Sequence, residues 1–341
     1  MYYALGSVQG ISTDVAENLK RFKEWMMLIK KLLLALAAVS FLVTPASAAD
    51  FPSGPVTYMI PFNAGGESDI FARAQQPLLE KALGQSVVIT YLVGGGGAVG
   101  WKELIRNKPD GYYTAGFNLP HVILQPMQRK KAGYTTDQIK PVMLFMSTPN
   151  ALVVPKDSPY KTLDDLLKAA KEKPGSVVLG GSGSQTANHL GVVRLNKMAG
   201  VNISYIPGTG TGDMISALLG KHVNGLMTYT TVAKNYANDV RTLAVATPER
   251  LAVLPDVPTF KELGYDLQEG AYRGLAVPPG TPDDVVQKLY EACKQVNNDP
   301  EFKQKMDNMG FFLVDMDPAE SVKFINELTP IYKGILEELK K

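Results

Sequence analysis

Segments typical of strands alternate with segments typical of helices along most of the chain after residue 50. The strand candidates are short and rich in β-branched and aromatic residues, and Gly- or Ser-rich turns separate several of them from the helices that follow. This alternation predicts an α/β fold with largely parallel sheets. The expected strands are 56–60, 86–91, 112–117, 142–145, 151–154, 177–180, 202–206, 223–228, 242–246, 272–277 and 311–314. The expected helices are 69–83, 98–106, 162–172, 186–199, 212–219, 282–297, 300–308 and 318–339.

The N-terminal residues predict export. Lys30-Lys31 precede an apolar run from Leu32 to Val43, and Ala46-Ser47-Ala48 follow Pro45. A basic start, a short apolar run and a small-x-small site are the parts of a secretory signal peptide, here with cleavage after Ala48. A transmembrane anchor would need about 20 apolar residues. We therefore expect the mature chain to be periplasmic or otherwise extracytoplasmic.

The mature chain is expected to carry no net charge. The sequence has 35 Lys+Arg and 33 Asp+Glu, and removing residues 1–48 leaves 30 of each. Such a balance gives no support to nucleic-acid binding, which usually shows as a basic patch or stripe. Cys293 is the single cysteine, so no intrachain disulfide can form and stability must come from burial.

The length after residue 48 predicts two domains. About 290 residues remain there, which is more than a single hydrophobic core usually serves. We expect one domain from residues 49–148 plus 273–341 and the other from residues 149–272. The chain would cross between them near Thr148-Pro149-Asn150 and again near Gly270 to Gly274. Two domains joined by two crossings are the layout of a hinged cleft.

The segment from Val56 to Asp69 suggests an anion site. Its strand-like start leads through Asn63-Ala64-Gly65-Gly66 to a helix that Ser68 or Asp69 can cap. Glycine lets the backbone turn tightly and approach a ligand, and the N–H groups of a helix N-terminus attract negative charge. Taken alone, the segment fits an ordinary strand-to-helix connection equally well.

Three further turns of this kind change the balance between those two interpretations. They are Gly94 to Gly97, Gly180 to Thr186, and Gly208 to Asp213. Each follows an expected strand, and in open α/β sheets ligands bind beyond the carboxyl ends of the strands. Four such turns in one chain favour an anion-binding cleft.

A nucleotide cofactor is not expected. Gly95, Gly97 and Gly100 match the spacing G-x-G-x-x-G, but a dinucleotide site also needs an acidic residue at the end of the next strand. That strand ends in Gly116-Phe117-Asn118. We interpret the glycines as positions that allow close packing of helix and sheet.

Catalytic and metal patterns are incomplete. Ser182 lacks the last glycine of the nucleophile motif G-x-S-x-G, and the available general bases are His121, His189 and His222. These histidines are scattered and have no metal-ligand spacing. A serine hydrolase is the weakest alternative and would depend on Ser182, Ser184 and His189.

Arg273 and Tyr229 are candidate cleft residues with two interpretations each. Arg273 lies in the expected hinge strand and could make a bidentate contact to a carboxylate, or form a surface salt bridge. Tyr229 follows the expected strand 223–228 and could wall the cleft or pack in the core. The sequence leaves both choices open.

Six motifs occur in an order and spacing that resemble one known family. They are Pro61-Phe62-Asn63-Ala64-Gly65-Gly66-Glu67-Ser68-Asp69, Gly94 to Gly100, Pro109-Asp110-Gly111-Tyr112, Gly181 to Leu190, Leu254 to Thr259, and Pro278-Pro279-Gly280-Thr281-Pro282. Together they resemble the solute-binding proteins of tripartite tricarboxylate transporters, the periplasmic receptors also called the Bug family. The resemblance extends from about Phe51 to the C-terminus.

The resemblance implies a two-domain periplasmic-binding-protein, or Venus-flytrap, fold that closes on a small organic acid. In the family, the turn matching Asn63 to Asp69 holds a ligand carboxylate mostly through backbone N–H groups and bridging waters. The turn matching Ser182 to Thr186 contributes contacts from the other domain. The expected ligand-binding residues are Asn63, Ala64, Gly65, Gly66, Ser68, Asp69, Asn118, Ser182, Gly183, Ser184, Gln185, Thr186, His189, Thr209, Tyr229 and Arg273.

Two departures from the family pattern bear on the ligand. Many members have an aspartate where this chain has Tyr229, so the tyrosine argues against an amino-acid ligand. Members commonly show Trp-Phe where this chain has Tyr272-Arg273, and the arginine suits a second carboxylate. We expect a monomeric, non-catalytic receptor for a mono- or dicarboxylic acid that works with large and small permease subunits. A sensor subunit that reports the acid to a membrane kinase would use the same cleft.

Overall fold

The computed structural model describes residues 17–18, 20–27, 29–30 and 51–340. Met1–Asp50 and Phe51–Lys341 form separate compact units, and the described residues of the first unit are helical. The predicted apolar run and cleavage site, Leu32 to Ala48, lie outside the described residues. Within those residues, none of the helices combines the length and the apolar character needed to cross a membrane.

Strands and helices alternate from residue 56 to residue 338, so the predicted α/β class is confirmed. The strands are β1 (Val56–Ile60), β2 (Val87–Tyr91), β3 (Tyr113–Leu119), β4 (Lys140–Pro155), β5 (Val178–Gly181), β6 (Ser204–Pro207), β7 (Gly225–Tyr229), β8 (Val240–Val245), β9 (Gly270–Val277) and β10 (Phe312–Met316). The helices are α1 (Glu67–Leu83), α2 (Ala98–Leu104), α3 (His121–Gln128), α4 (Leu163–Glu172), α5 (Ala187–Ala199), α6 (Thr211–Leu219), α7 (Thr230–Asn235), α8 (Asp283–Asn298), α9 (Pro300–Met309) and α10 (Pro318–Glu338). Short 3-10 helices cover Gly95–Gly97 and Thr136–Gln138.

The strands form a sheet in the order β2-β1-β3-β9-β4-β7-β5-β6, and β10 and β8 also pair with β4. β4 changes partners along its length. Its residues up to Pro149 pair with β9, whereas those from Asn150 onward pair with β7 and β8. We call the strands on the β9 side, with β10, the first half of the sheet and β5 to β8 the second half.

The prediction of largely parallel sheets is right for the outer strands and wrong for the centre. β1 is parallel to β2 and β3, and β5 is parallel to β6 and β7. β4 and β9 run antiparallel to all their partners because they carry the chain directly from one half to the other. The expected strands 142–145 and 151–154 are therefore one strand, since β9 and β7 pair with it on either side of Pro149.

Two helices are absent from the sequence prediction. α3 carries Pro126 inside it, and α7 begins with Thr230-Thr231, a pair of β-branched residues of low helix propensity. The predicted start of α4 is confirmed, because the Thr162 hydroxyl accepts from the Asp165 N–H at 3.2 Å and the Asp165 carboxylate accepts from the Thr162 N–H at 2.9 Å. The capping residues of α4 thus predicted its start correctly, whereas helix propensity did not predict α3 and α7.

Aromatic packing fixes the first half of the sheet. Phe71 stacks on Phe145 with ring centroids 4.9 Å apart, and Phe302 and Phe311 meet it edge-on at 5.5 Å. In the second half, alternate residues of β4 enter two separate cores, one containing Leu152 and Val154 and the other Ala151 and Val153. That alternation is the period of a strand covered on both faces.

Glu269 is buried where the chain returns to the first half. Its Oε2 accepts from Arg194 Nη1 of α5 at 3.3 Å, and its Oε1 accepts from the Tyr332 hydroxyl of α10 at 3.0 Å. Burial raises the pKa of Glu269 to about 7, although Arg194 and Tyr332 act in the opposite direction. One carboxyl group therefore joins α5, the start of β9 and α10.

We predict that Glu269 makes the folded state less stable as pH rises from about 4.5 to about 7. The folded chain binds this proton more tightly than the unfolded chain, so its contribution is complete at low pH and is lost through that window. At about 1.4 kcal/mol per pKa unit, Glu269→Gln should gain up to about 3 kcal/mol over wild type across the window. Urea unfolding at a series of pH values measures the difference.

Glu262→Gln is the control for this measurement. Glu262 is exposed, and its pKa is lowered mainly by the Thr259 N–H, which should give a small pH dependence of opposite sign. A difference between Glu269→Gln and wild type that stays constant with pH would contradict the prediction.

Candidate functional site

A small cavity of about 10 Å³ lies where both halves of the sheet meet. It is lined by Phe62, Gly66, Glu67, Ser68, Asn118, His121, Ser182, Thr211, Tyr229 and Arg273. Six of the predicted ligand-binding residues are in this lining, namely Gly66, Ser68, Asn118, Ser182, Tyr229 and Arg273. The cavity therefore brings together side chains from predicted turns that are more than 100 residues apart in sequence.

Several helix N-termini meet at the cavity. Gly66 is the N-cap of α1, His121 is the first residue of α3, and Thr211 is the first residue of α6. None of these helices has a side-chain hydrogen bond at its N-cap. Free N–H groups and the positive ends of helix dipoles favour an anion at this position.

The first turn is held in shape by Asp69. Its Oδ2 accepts from the Gly65 N–H at 2.7 Å, and its Oδ1 accepts from Arg73 Nε at 2.8 Å and from the Tyr91 hydroxyl at 2.6 Å. The helix starts at Glu67, so the prediction that Ser68 or Asp69 provides the N-cap is wrong. Asp69 instead reaches back from inside the first helical turn and fixes Gly65, whose φ is 76°.

Arg273 is buried in the cavity wall and is only 3% exposed, so the surface-salt-bridge interpretation is wrong. Its guanidinium carbon lies 4.5 Å from the centroid of the Tyr229 ring, and Nη1 donates to the Thr148 hydroxyl. Nη1 is also 3.9 Å from Glu67 Oε2. Tyr229 is both a cavity wall and a core residue, since it is 1% exposed and also packs against Ala187 and Ala271.

Glu67 places a carboxyl group inside the same cavity. Its Oε1 accepts from the Thr231 hydroxyl, and its side chain is 4% exposed. Burial raises the pKa of Glu67, while Arg273, Thr231 and Thr148 lower it. The cavity thus contains one guanidinium and one carboxyl group whose neutral form is favoured by burial.

The other titratable groups of the cavity are neutral near neutral pH. Burial, with a contribution from Arg273, lowers the pKa of His121 to about 3. Burial raises the pKa of Tyr229, although Arg273 acts in the opposite direction. The positive charge of the lining therefore comes from Arg273.

Five buried polar atoms of the lining have no hydrogen-bond partner in the part of the chain that the structure describes. They are Glu67 Oε2, Asn118 Oδ1, His121 Nδ1, the Tyr229 hydroxyl oxygen and Arg273 Nε. Buried polar groups are rarely left unpaired, and each such group costs about 1–3 kcal/mol. Their position around one cavity provides both donors and acceptors for a small polar ligand.

The first turn also contacts the fourth turn. Asn63 Nδ2 donates to Asp213 Oδ1 at 3.2 Å, and the Asn63 N–H donates to the Thr209 carbonyl at 3.4 Å. A Cβ atom on Gly210 would lie 2.0 Å from Asn63 Oδ1 and 3.2 Å from the Asn63 backbone N, so any larger residue would displace the Asn63 side chain from this contact. The predicted residues Asn63, Ala64, Gly65 and Thr209 form this contact instead of lining the cavity.

The second and third turns are joined in a similar way. Gln125 Nε2 of α3 donates to the Ser184 carbonyl at 2.8 Å and to the Gly96 carbonyl at 3.2 Å. Arg129 Nε donates to Gln185 Oε1 at 2.7 Å. A Cβ atom on Gly96 would lie 2.3 Å from the Ser184 carbonyl oxygen. Ser184 and Gln185 therefore join the two halves of the sheet beside the cavity.

Gly183, Thr186 and His189 shape the third turn. The Thr186 hydroxyl donates to the Gly183 carbonyl at 2.9 Å and accepts from the His189 N–H at the start of α5. His189 Nδ1 accepts from the Gln185 N–H at 3.1 Å, and its ring stacks on Tyr205 at 4.6 Å. These predicted residues support the site from outside the cavity.

The hydrolase alternative lacks its central contact. The Ser182 hydroxyl donates to Asn188 Oδ1 at 2.6 Å, and within residues 51–340 neither Ser182 nor Ser184 is hydrogen-bonded to a histidine. The described residues also contain no cluster of three His, Cys, Asp or Glu side chains that could hold a metal ion.

Four cavity residues were missing from the predicted set: Phe62, Glu67, His121 and Thr211. Phe62 and Glu67 stand inside the first motif, and Thr211 stands inside the fourth turn. His121 follows Pro120 directly after β3, whereas the sequence suggests for it only the roles of catalytic base or metal ligand. Its position at the carboxyl end of a strand was the signal that could have identified it.

Comparison with known proteins gives consistent matches. Residues 71–340 match a family model described as "Tripartite tricarboxylate transporter family receptor". A protein of Cupriavidus necator described as "UPF0065 protein in gbd 5'region" is 32% identical over 308 residues, which cover 89% of this chain and 94% of the relative.

Solved structures extend the comparison to the fold. Periplasmic binding protein BugD is 28% identical with a TM-score of 0.81, covering 85% of this chain and 99% of BugD. MatC from Rhodopseudomonas palustris with bound malate is 26% identical with a TM-score of 0.77, covering 84% of this chain and 99% of MatC. The predicted two-domain periplasmic-binding-protein fold is confirmed by these neighbours.

We predict that Asp69→Ala lowers the free energy of unfolding by about 2 kcal/mol, since it removes the acceptor of three hydrogen bonds. Asp284→Ala is the matched control, because Asp284 is an exposed acidic residue in the first turn of α8. Its loss should cost less than about 1 kcal/mol, as expected for a helix-dipole contribution. Chemical denaturation compares the two variants, and equal losses would contradict the role of Asp69.

Proposed function

This chain belongs to the tripartite tricarboxylate transporter receptor family of periplasmic solute-binding proteins, and we propose that it captures a small mono- or dicarboxylic acid by domain closure. It would deliver the acid to the large and small permease subunits of a tripartite transporter. The protein would act as a monomer and release the acid chemically unchanged.

The strongest support for a carboxylate ligand is the buried guanidinium of Arg273. Its Nε has no hydrogen-bond partner in the described chain, and the residue lines the cavity where the N-termini of α1, α3 and α6 meet. A guanidinium and free backbone N–H groups are the donors that bind carboxylates in proteins. The orphaned donor requires an acceptor, which a bound carboxylate provides.

The cavity as it stands has a volume of about 10 Å³, roughly the space of one water molecule, so its lining must move apart to admit an acid. We propose an acid of a few carbon atoms, since MatC, which is similar in fold, is solved with bound malate. We expect Gly66, Ser68, Asn118, Ser182 and Tyr229 to contact it together with Arg273.

Domain closure follows from the two crossings of the chain. We place the domain boundaries as predicted, at residues 49–148 plus 273–341 and at residues 149–272. The contacts of Asn63, Gln125 and Arg129 would then form across the cleft and select the closed form. A ligand that touches both domains binds the closed form better and shifts the population toward it.

Export completes the proposal. Residues 1–48 would include a signal peptide that is removed after Ala48, which agrees with the periplasmic location of the family.

The ten predicted residues outside the cavity would act indirectly, by holding the first and third turns in their binding geometry. They are Asn63, Ala64, Gly65, Asp69, Gly183, Ser184, Gln185, Thr186, His189 and Thr209.

Isothermal titration calorimetry with acetate, succinate, malate, glutarate and adipate tests the ligand class. Arg273→Gln should weaken the tightest binder by about 100-fold, because a buried charge-assisted hydrogen bond is worth about 1.5–3 kcal/mol. Arg273→Lys should retain part of the affinity, since it keeps the charge but loses the planar fork.

Arg250→Gln is the control, because Arg250 forms an exposed ion pair with Glu262. Its affinity should equal that of wild type. Absence of binding to every acid would overturn the proposed function, and ester hydrolysis by the mature protein would then favour the hydrolase alternative.

A further inference from the structure

Glu67 is an unexpected group in a cavity that suits a carboxylate. Glu67 lines the cavity, and its Oε2 is buried, lies 3.9 Å from Arg273 Nη1 and has no hydrogen-bond partner within the described residues, while Oε1 is occupied by the Thr231 hydroxyl. Two ionised carboxylates side by side repel each other strongly at low dielectric. Contact between a ligand carboxylate and ionised Glu67 is therefore unfavourable unless Arg273 and the helix N-termini offset both charges.

The surroundings of Glu67 supply a single cation. Arg273 faces it from β9, and His121 shares the cavity from α3. Tyr229 and Tyr236 approach from the two ends of α7. On α6, both carboxylate oxygens of Asp213 accept hydrogen bonds from Asn63 and Thr209. One guanidinium cannot neutralise both Glu67 and a ligand carboxylate.

We propose that Glu67 is a specificity-determining residue that binds the ligand in its neutral form. The O–H of Glu67 donates from Oε2 to a ligand carboxylate oxygen that Arg273 also holds. One proton enters from solvent with each ligand and returns to solvent on release, and no covalent bond of the ligand changes. This inference rests on the proposed function, because it requires a carboxylate in this cavity.

The protonation states of the neighbours agree with this role. Burial raises the pKa of Glu67 above its ordinary value, which favours the neutral form that donates the hydrogen bond. His121 stays neutral because its pKa is lowered to about 3, and Tyr229 stays neutral because its pKa is raised. Glu67 is therefore the cavity group expected to change protonation when the ligand binds.

The pH dependence of binding has a definite sign. The ligand favours protonated Glu67, so the pKa of this group is higher in the complex than in the free protein. Affinity is complete below the pKa of the free protein and decreases by up to about tenfold per pH unit above it. If binding did not require protonated Glu67, the affinity for a fully ionised acid would not change with pH.

Calorimetry with succinate and malate on the mature protein tests the inference, at about pH 6.5 to 8.5 where free carboxylic acids are ionised. Titration in buffers of different ionisation enthalpy gives the number of protons taken up. Wild type should take up a proton as succinate binds, with affinity falling as pH rises.

Glu67→Gln keeps the shape of the side chain and a donor in place of the O–H. It should bind succinate without proton uptake and with an affinity that does not change with pH. Thr231→Val removes the hydroxyl that favours ionised Glu67, so its pH profile should shift to higher pH. Glu80→Gln, on the same helix and bonded to the Val87 N–H, should behave like wild type.

Each other outcome has a defined meaning. Proton uptake by Glu67→Gln equal to wild type, or no uptake by wild type, overturns the role of Glu67 but leaves carboxylate binding intact. Strong binding of malate but not succinate, without proton uptake, also overturns it, because ionised Glu67 would then accept from the malate hydroxyl. Failure of every acid to bind overturns both this inference and the proposed function. Thermal melting verifies that each variant is folded.

Discussion

The change of partner along β4 is the constraint from which the rest of the structure follows. Its residues up to Pro149 complete the first half of the sheet, and its residues from Asn150 onward begin the second half. β9 returns beside it and carries Arg273, whose pairing partner in the register is Met146. The side chain that can bind an anion is thus carried by the strand that closes the second crossing. Any movement of one half against the other changes the surroundings of Arg273.

The electrostatics of the cavity depend on a small number of charged and titratable groups. Helix N-termini and Arg273 supply positive potential, His121 and Tyr229 are held neutral by burial, and Glu67 is the opposing acid. In water these groups would be solvated individually, but in the buried cavity their hydrogen bonds and charges must be satisfied by one another or by a molecule that enters it. The buried polar atoms around the cavity that have no hydrogen-bond partner in the described chain show that these groups do not fully satisfy one another.

Much of this architecture could be predicted from the sequence, and the failures have physical causes. The Gly- and Ser-rich turns predicted where the cavity would lie, because the conformation of such turns depends on local residues. The Thr162 cap of α4 could be predicted for the same reason. The long β4 was divided in two because proline usually interrupts a strand, whereas here Pro149 lies where the pairing partner changes. Only six of the predicted ligand-binding residues line the cavity, since a motif does not say which side chains of a turn point inward.

Glu67 and Asp69 show most clearly what a local motif leaves undecided. Both are acidic residues in the first turn of α1, but Asp69 accepts three hydrogen bonds and Glu67 accepts one. Their partners Tyr91 and Thr231 lie 22 and 164 positions away, so the sequence near residue 65 could not assign the two roles. The carboxylate of Asp69 holds the backbone of the turn through its hydrogen bonds, whereas burial of Glu67 favours its protonated form. One helical turn therefore carries both the support of the anion site and the group that would make it sensitive to pH.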